Sequence, residues 1–311
     1  ALLLAKLGWT GPAGLIPVFF HRLLLKMFGI RLIRKGKLSR DRPLLLVGCG
    51  KMGGAMLEGW LEKGLKAKNI FVIEPNDTVA AEMRERGIGA VASQADLSDD
   101  FDPGIVIFAV KPQMMAEALP TLREMGNGKT LFVSVAAGTT ISFFEQTLGM
   151  DTPVVRAMPN TPAAISQGIT AIVANTRAGA QGLDEAELLL SAVGEVVRLD
   201  EEAQIDAVTG VSGSGPAYVF HMIETLAAAG VEQGLPADMA MQLARATVAG
   251  AGALAMQADE DPAQLRINVT SPNGTTQAAL EVLMDAEHGF PALMRRAVAA
   301  AADRSRELAR G

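Results

Sequence analysis

Cysteine is nearly missing from this chain. Cys49 is the only one in 311 residues, which excludes an internal disulfide framework. Histidine is almost as scarce, and His21, His221 and His288 lie far apart, so no Cys/His cluster has zinc spacing and no metal is expected. Aromatic residues make up 5% of the chain, too few for a protein that binds single-stranded nucleic acid by stacking. Long apolar runs are lacking too. The longest uncharged stretch near the start, residues 7–20, is 14 residues and is broken by glycine and proline. A membrane-spanning helix needs about 20 apolar residues.

Acidic residues are absent from residues 1–40, which hold eight of the 28 Lys and Arg. The remaining 20 bases face 34 acids, so residues 41–311 carry −14 while the whole chain carries −6. An acidic body disfavours nucleic acid as a partner. The first forty residues therefore read as a basic, apolar extension outside the fold. Residues 17–33 have the pattern of a basic amphipathic helix. Three readings are open for the extension: a disordered or untranslated upstream segment, a peripheral membrane helix, or an organelle transit segment. With Ala1 in place of Met, the chain reads as trimmed, processed or a fragment. A cytoplasmic location is expected, and the extension leaves an organelle or a membrane surface open.

What is present is apolar and periodic. Hydrophobic residues are 49% of the chain, enough for a large packed core. Residues 43–47 form a short apolar run that reads as a buried parallel strand. Gly48-Cys49-Gly50-Lys51-Met52-Gly53 follows at once, then a helical pattern from Ala55. G-x-G-x-x-G between a strand and a helix is the dinucleotide fingerprint in its required context. Gly48 allows a tight turn, Gly50 lets a pyrophosphate approach the backbone, and Gly53 lets helix and strand pack closely.

The next strand, residues 70–73, ends at Glu74. An acid there takes ribose hydroxyls and repels a 2′-phosphate, which leans toward NADH. The competing reading is a solvated Glu74 beside a loop that still admits NADPH, so the expected cofactor is NADPH or NADH. Asn76 belongs to the same polar loop, and Asp77 or Thr78 is expected to cap the following helix. Further strands are predicted at 105–110, 130–135 and 154–156. Lys111, Ala137-Gly138 and Asn160 each follow one of them. Ligands of such sheets lie at the carboxyl ends of the strands, so these residues should rim one crevice. Lys111 as a plain surface cation and Asn160 as a turn residue remain alternatives.

After Leu199 the strand signals give way to helical patterns. The division expected is a Rossmann domain with a doubly wound, mostly parallel sheet over 41–203, then an all-α domain over 204–311. Alanine-rich helices with apolar faces suggest burial against a second copy, and packing only on their own sheet domain is the alternative. Val269-Thr270-Ser271-Pro272-Asn273-Gly274-Thr275-Thr276 is a tight loop with two threonines opening a helix. Its backbone N–H groups offer an anion site, and an ordinary capped turn is the plainer reading.

Taken together these motifs resemble the pyrroline-5-carboxylate reductase family, from about residue 43 to about 308. The resemblance rests on Gly48–Gly53, on Ala109 to Pro112, on Arg156-Ala157-Met158-Pro159-Asn160-Thr161-Pro162, on residues 208–218 and on residues 269–276. It implies reduction of 1-pyrroline-5-carboxylate to L-proline by hydride transfer from NAD(P)H, the last step of proline biosynthesis. It further implies that Ser271, Asn273, Gly274, Thr275 and Thr276 bind the substrate, with Thr276 as the catalytic residue that hydrogen-bonds the ring nitrogen. Gly48, Cys49, Gly50, Lys51, Met52, Gly53, Glu74, Asn76, Ala109, Val110, Lys111, Pro112 and Asn160 would bind the cofactor. The helical domain would make a homodimer or an assembly of dimers that completes the active site. Two positions depart from the family pattern: Asn273 replaces a glycine, and Ile267 replaces a polar or acidic residue. Asn is the non-glycine residue best suited to positive φ, so the loop can keep its shape.

Two other readings compete. β-Hydroxyacid-type dehydrogenases generally use a lysine on a helix after the Rossmann domain, and residues 204–311 contain none. A non-catalytic nucleotide sensor is disfavoured by an intact fingerprint beside an intact substrate loop. Cys49 lies within the fingerprint and reads as a small packed residue rather than a redox sensor.

Overall fold

The structure, a computed structural model, describes residues 38–39, 41–126 and 128–309. The amphipathic pattern at 17–33 and His21 lie outside the described residues. The chain forms two compact units. One holds the sheet. The other runs from Leu199 onward and takes in Met158–Pro162.

Among the described residues eight strands make one sheet in the order β3-β2-β1-β4-β5-β6-β7-β8. They are β1 (Leu44–Val47), β2 (Ile70–Ile73), β3 (Gly89–Val91), β4 (Ile105–Phe108), β5 (Leu131–Ser134), β6 (Val154–Met158), β7 (Gly168–Ala174) and β8 (Gly194–Arg198). Every residue of β1, β4 and β5 is buried. That is why these segments read as continuous apolar runs rather than alternating ones. The helices between strands are α1 (Lys51–Glu62), α2 (Asp77–Glu85), α3 (Met115–Thr121), α4 (Ile141–Leu148) and α5 (Gly179–Leu190). Trp60 of α1 is 2% exposed and its indole N–H donates to the Leu189 carbonyl (2.9 Å), tying α1 to α5.

β1 to β6 pair in parallel. The far edge is reversed. The Asn175 amide, just past β7, donates to the Val154 carbonyl at the start of β6 (3.0 Å), so β7 runs against β6, while β8 is parallel to β7. Only residues 159–167 separate β6 from β7, too few for the dozen or more that a parallel crossover needs. β3, β7 and β8 are strands the sequence pattern does not announce. β3 has three residues, and β7 is an apolar run that periodicity cannot tell from a buried helix.

Asn175 holds this reversal. Its Oδ1 accepts from the amides of Val154 (3.0 Å) and Ala178 (2.9 Å), and its Nδ2 donates to Glu145 Oε1 and to the Thr152 carbonyl (both 2.9 Å). Asn175→Ala would strand buried amides and a carbonyl at once. A loss of about 3 kcal/mol is expected on the cost of unsatisfied buried groups, read as a lower urea midpoint with an unchanged slope.

The second unit is helical: α6 (Gln204–Val208), a wide turn (Thr209–Gly213), α7 (Gly215–Glu232), α8 (Ala237–Gln257), α9 (Pro262–Asn268), α10 (Thr275–Leu283) and α11 (Phe290–Ala309). Ala227, Ala240 and Ala244 are buried where α7 meets α8. Gly234 ends α7 at φ 93, and Leu235 N–H returns to the Gly230 carbonyl (3.1 Å), a glycine stop that folds α8 back. Ser305 of α11 donates to Asp206 of α6 (2.6 Å). Much apolar surface stays exposed here, with Phe220 at 58%, Met256 at 70% and Val282 at 73%. Among the described residues no helix is long and apolar enough to cross a membrane.

Candidate active site

Four strand ends carry the predicted cofactor residues or lie beside them. Register sets Ile73, Val47, Phe108 and Ser134 in one row, so Glu74, Gly48, Ala109 and Val135 begin the loops at one edge of the sheet. The order reverses between β1 and β4, the crevice where open α/β sheets bind ligands.

Gly48 sits at φ 90 and its N–H donates to the Ile73 carbonyl (2.9 Å). A Cβ there would lie 2.9 Å from Val110 Cγ1 and 3.2 Å from the Ala109 backbone. Gly53 is tighter, since its Cβ would fall on the Gly48 carbonyl oxygen and 3.2 Å from Ala109 Cβ. Gly50 differs, because a Cβ there meets nothing within 4 Å. Gly50 opens α1 in an extended conformation with no side chain capping it, and the first turn carries no acid. This leaves an uncapped helix start beside open space, which fits a pyrophosphate. The residues present therefore suit a dinucleotide.

The Glu74 carboxylate spans the two loops. One oxygen accepts from the Cys49 amide and the other from the Asn76 amide, both at 2.9 Å. Asn76 in turn caps α2, its Oδ1 accepting from Thr78 (3.1 Å) and Val79 (3.2 Å). The cap is thus Asn76, not Asp77 or Thr78: its extended backbone turns the side chain across the first turn. Burial pushes the Cys49 thiol up to about 11, helped by the charges of Glu74 and Glu58. A thiol held protonated suits a packing role better than a redox one.

Lys111 is exposed and precedes a short turn at Pro112–Met114 that leads into α3. Proline at this first position presets the turn. Asn160 is half-buried and belongs to the second unit with the rest of Met158–Pro162.

The predicted substrate loop lies between α9 and α10. Thr270 Oγ1 donates to the Arg266 carbonyl (2.6 Å), and the Gly274 amide donates to the Ser271 carbonyl (3.0 Å). Asn273 takes φ 58, as its replacement of a glycine requires. Gly274 precedes α10 in an extended conformation with no side-chain cap, leaving Thr275 exposed and Thr276 half-buried in the first turn. Gln277, absent from the predicted site, steadies the loop, its Oε1 accepting from the Asn273 amide (2.8 Å). A glutamine at the third helical position is the sequence signal for such a reach-back bond. Tyr218 was likewise no predicted site residue. Its hydroxyl donates to the Gly210 carbonyl (3.1 Å) inside the wide turn, which closes with the Ser214 amide on the Thr209 carbonyl (2.8 Å). His221 and His288 sit on the surface beside Glu224 and Asp285.

Residues 202–308 match the family described as pyrroline-5-carboxylate reductase dimerisation, and residues 44–138 match NADP oxidoreductase coenzyme F420-dependent. The chain is 41% identical over 267 residues to pyrroline-5-carboxylate reductase of Pseudomonas aeruginosa, covering 86% of this chain and 96% of that protein. Among solved structures, a pyrroline-5-carboxylate reductase from Coxiella burnetii superposes with a TM-score of 0.80 at 31% identity, over 86% of this chain and 98% of that one. A Plasmodium falciparum pyrroline carboxylate reductase with NADP bound gives 0.73 at 27% identity, over 88% and 100%.

Proposed function

The chain belongs to the pyrroline-5-carboxylate reductase family and is an NAD(P)H-binding oxidoreductase, and from that premise we propose that it reduces 1-pyrroline-5-carboxylate to L-proline, acting on the C=N bond of the cyclic imine. The observation that carries this reading is that one chain holds both the glycine loop before α1 and the Ser271–Thr276 loop before α10, each ending in an uncapped helix start. The first suits a pyrophosphate and the second a carboxylate.

When bound, the nicotinamide supplies the hydride. The chain's own residues then have to bind and orient. The amides and hydroxyls of Ser271 and Thr275 hold the substrate carboxylate, Asn273 and Gly274, whose amides are bonded to Gln277 and Ser271, shape the loop around it, and the Thr276 hydroxyl fixes the ring nitrogen. A protonated imine is already electrophilic, so no strong base is required. The surface setting of His221 and His288 is compatible with that. Gly48 to Gly53, Glu74, Asn76, Ala109 to Pro112 and Asn160 are the proposed cofactor residues.

We infer a homodimer, with the cytoplasm as the proposed location. The exposed Phe220, Met256 and Val282 support the dimer, since apolar surface of this extent in one chain suits a covering partner. The test is a steady-state assay with pyrroline-5-carboxylate and each coenzyme in turn. Proline formation with oxidation of a coenzyme is expected, and oxidation of neither sinks the reading.

A further inference from the structure

Glu74 occupies the end of β2, where the acid of a dinucleotide-binding sheet meets the adenosine ribose. Here it is fixed in place rather than waving in solvent. The Cys49 and Asn76 amides each take one carboxylate oxygen, and Asn76 is itself pinned as the cap of α2. A carboxylate has about four acceptor sites, so two bonds leave room for ribose hydroxyls. Hydroxyls donate to it, whereas a 2′-phosphate brings only acceptors and like charge.

The segment after β2 offers such a phosphate little relief, which leaves Lys51 as the one basic residue of the glycine loop. Residues 74–79 contain no Lys or Arg, and Asp77 adds a second acid. The two arginines of the following stretch are engaged. Arg84 donates to the Ala90 carbonyl (3.1 Å), and Arg86 makes a bidentate pair with Glu58 (2.6 and 2.7 Å). From residue 87 to residue 103 there is no Lys or Arg, and four Asp.

We propose that this chain selects NADH over NADPH and that Glu74, braced between the Cys49 and Asn76 amides, is the residue that sets the choice. The inference rests on the reductase reading for the coenzyme's role, and it departs from the NADP bound in the Plasmodium falciparum relative.

The test is direct binding to the full chain, with NADH and NADPH titrated separately by nicotinamide fluorescence at low and high salt. The dissociation constant for NADPH should be at least tenfold the larger, and the gap should narrow with salt as the repulsion is screened. Glu74→Gln keeps the shape and removes the charge, and Glu74→Ser removes both. Each should cut the NADPH-to-NADH ratio at least fivefold, chiefly by tightening NADPH. Equal binding of the two coenzymes by the unaltered chain, or a ratio unmoved in both variants, overturns the proposal. Imine reduction with both coenzymes alike would overturn the preference and leave the reductase reading standing. Failure to bind either coenzyme overturns both.

Discussion

Gly53→Ala is expected to abolish detectable NAD(P)H binding and to destabilise the chain by about 2–3 kcal/mol, the usual cost of forcing atoms into a packed site. The added methyl falls on the Gly48 carbonyl oxygen, a backbone atom, and 3.2 Å from Ala109 Cβ. Neither can retreat. Gly48 is held by its bond to the Ile73 carbonyl, and Ala109 by its own to the Val47 carbonyl (both 2.9 Å). Helix α1 must therefore shift off the sheet, and the amides of its first turn shift with it. Gly50→Ala separates the two effects. Its methyl meets nothing, so urea unfolding should be unchanged while coenzyme binding weakens, because the methyl enters the space proposed for the pyrophosphate. Urea midpoints and fluorescence titrations on both variants decide the matter. Full coenzyme affinity in Gly53→Ala would remove this loop from the cofactor site.

The contrast between these two glycines shows what sequence can carry. Each fingerprint residue answers a short-range demand, a tight turn, an open approach or a close crossing, so the pattern alone locates strand, loop and helix. β1, α1 and β2 lie where the pattern sets them. Demands met across the chain leave no such mark. The four bonds of Asn175 reach residues 145, 152, 154 and 178, and nothing local distinguishes it from a turn asparagine. β7 and β8 are legible only once their partners are known. Sequence does not single out the Asn76 cap, because three consecutive polar residues all suit a cap. The wide turn at Thr209–Gly213 has no propensity signature, since it depends on Tyr218 reaching back and on α11, whose Val298 carbonyl lies 2.8 Å from where a Gly210 Cβ would stand. In the loop proposed for the substrate, Asn273 is legible from its residue type, whereas Gln277 emerges only from the geometry.

Thr276→Ala should lower the rate of imine reduction at least tenfold while leaving the NAD(P)H dissociation constant within about twofold. A tenfold loss corresponds to about 1.4 kcal/mol of transition-state stabilisation, the size of one neutral hydrogen bond. Thr276 is half-buried in the first turn of α10, and among the described residues none is bonded to its hydroxyl. The substitution thus removes a group with no structural partner there. It also keeps the backbone amide, and alanine favours helix over threonine, so a folding defect is not expected to confound the result. The substrate carboxylate would still meet the loop amides, which predicts a fall in kcat larger than any rise in KM. Thr276→Ser returns the hydroxyl without the methyl and should recover most of the rate. If instead Thr276→Ala turns over normally, the ring nitrogen is held by something else. If KM alone rises, the hydroxyl serves the carboxylate with its neighbours, and orientation of the imine falls to the loop backbone that Gln277 steadies.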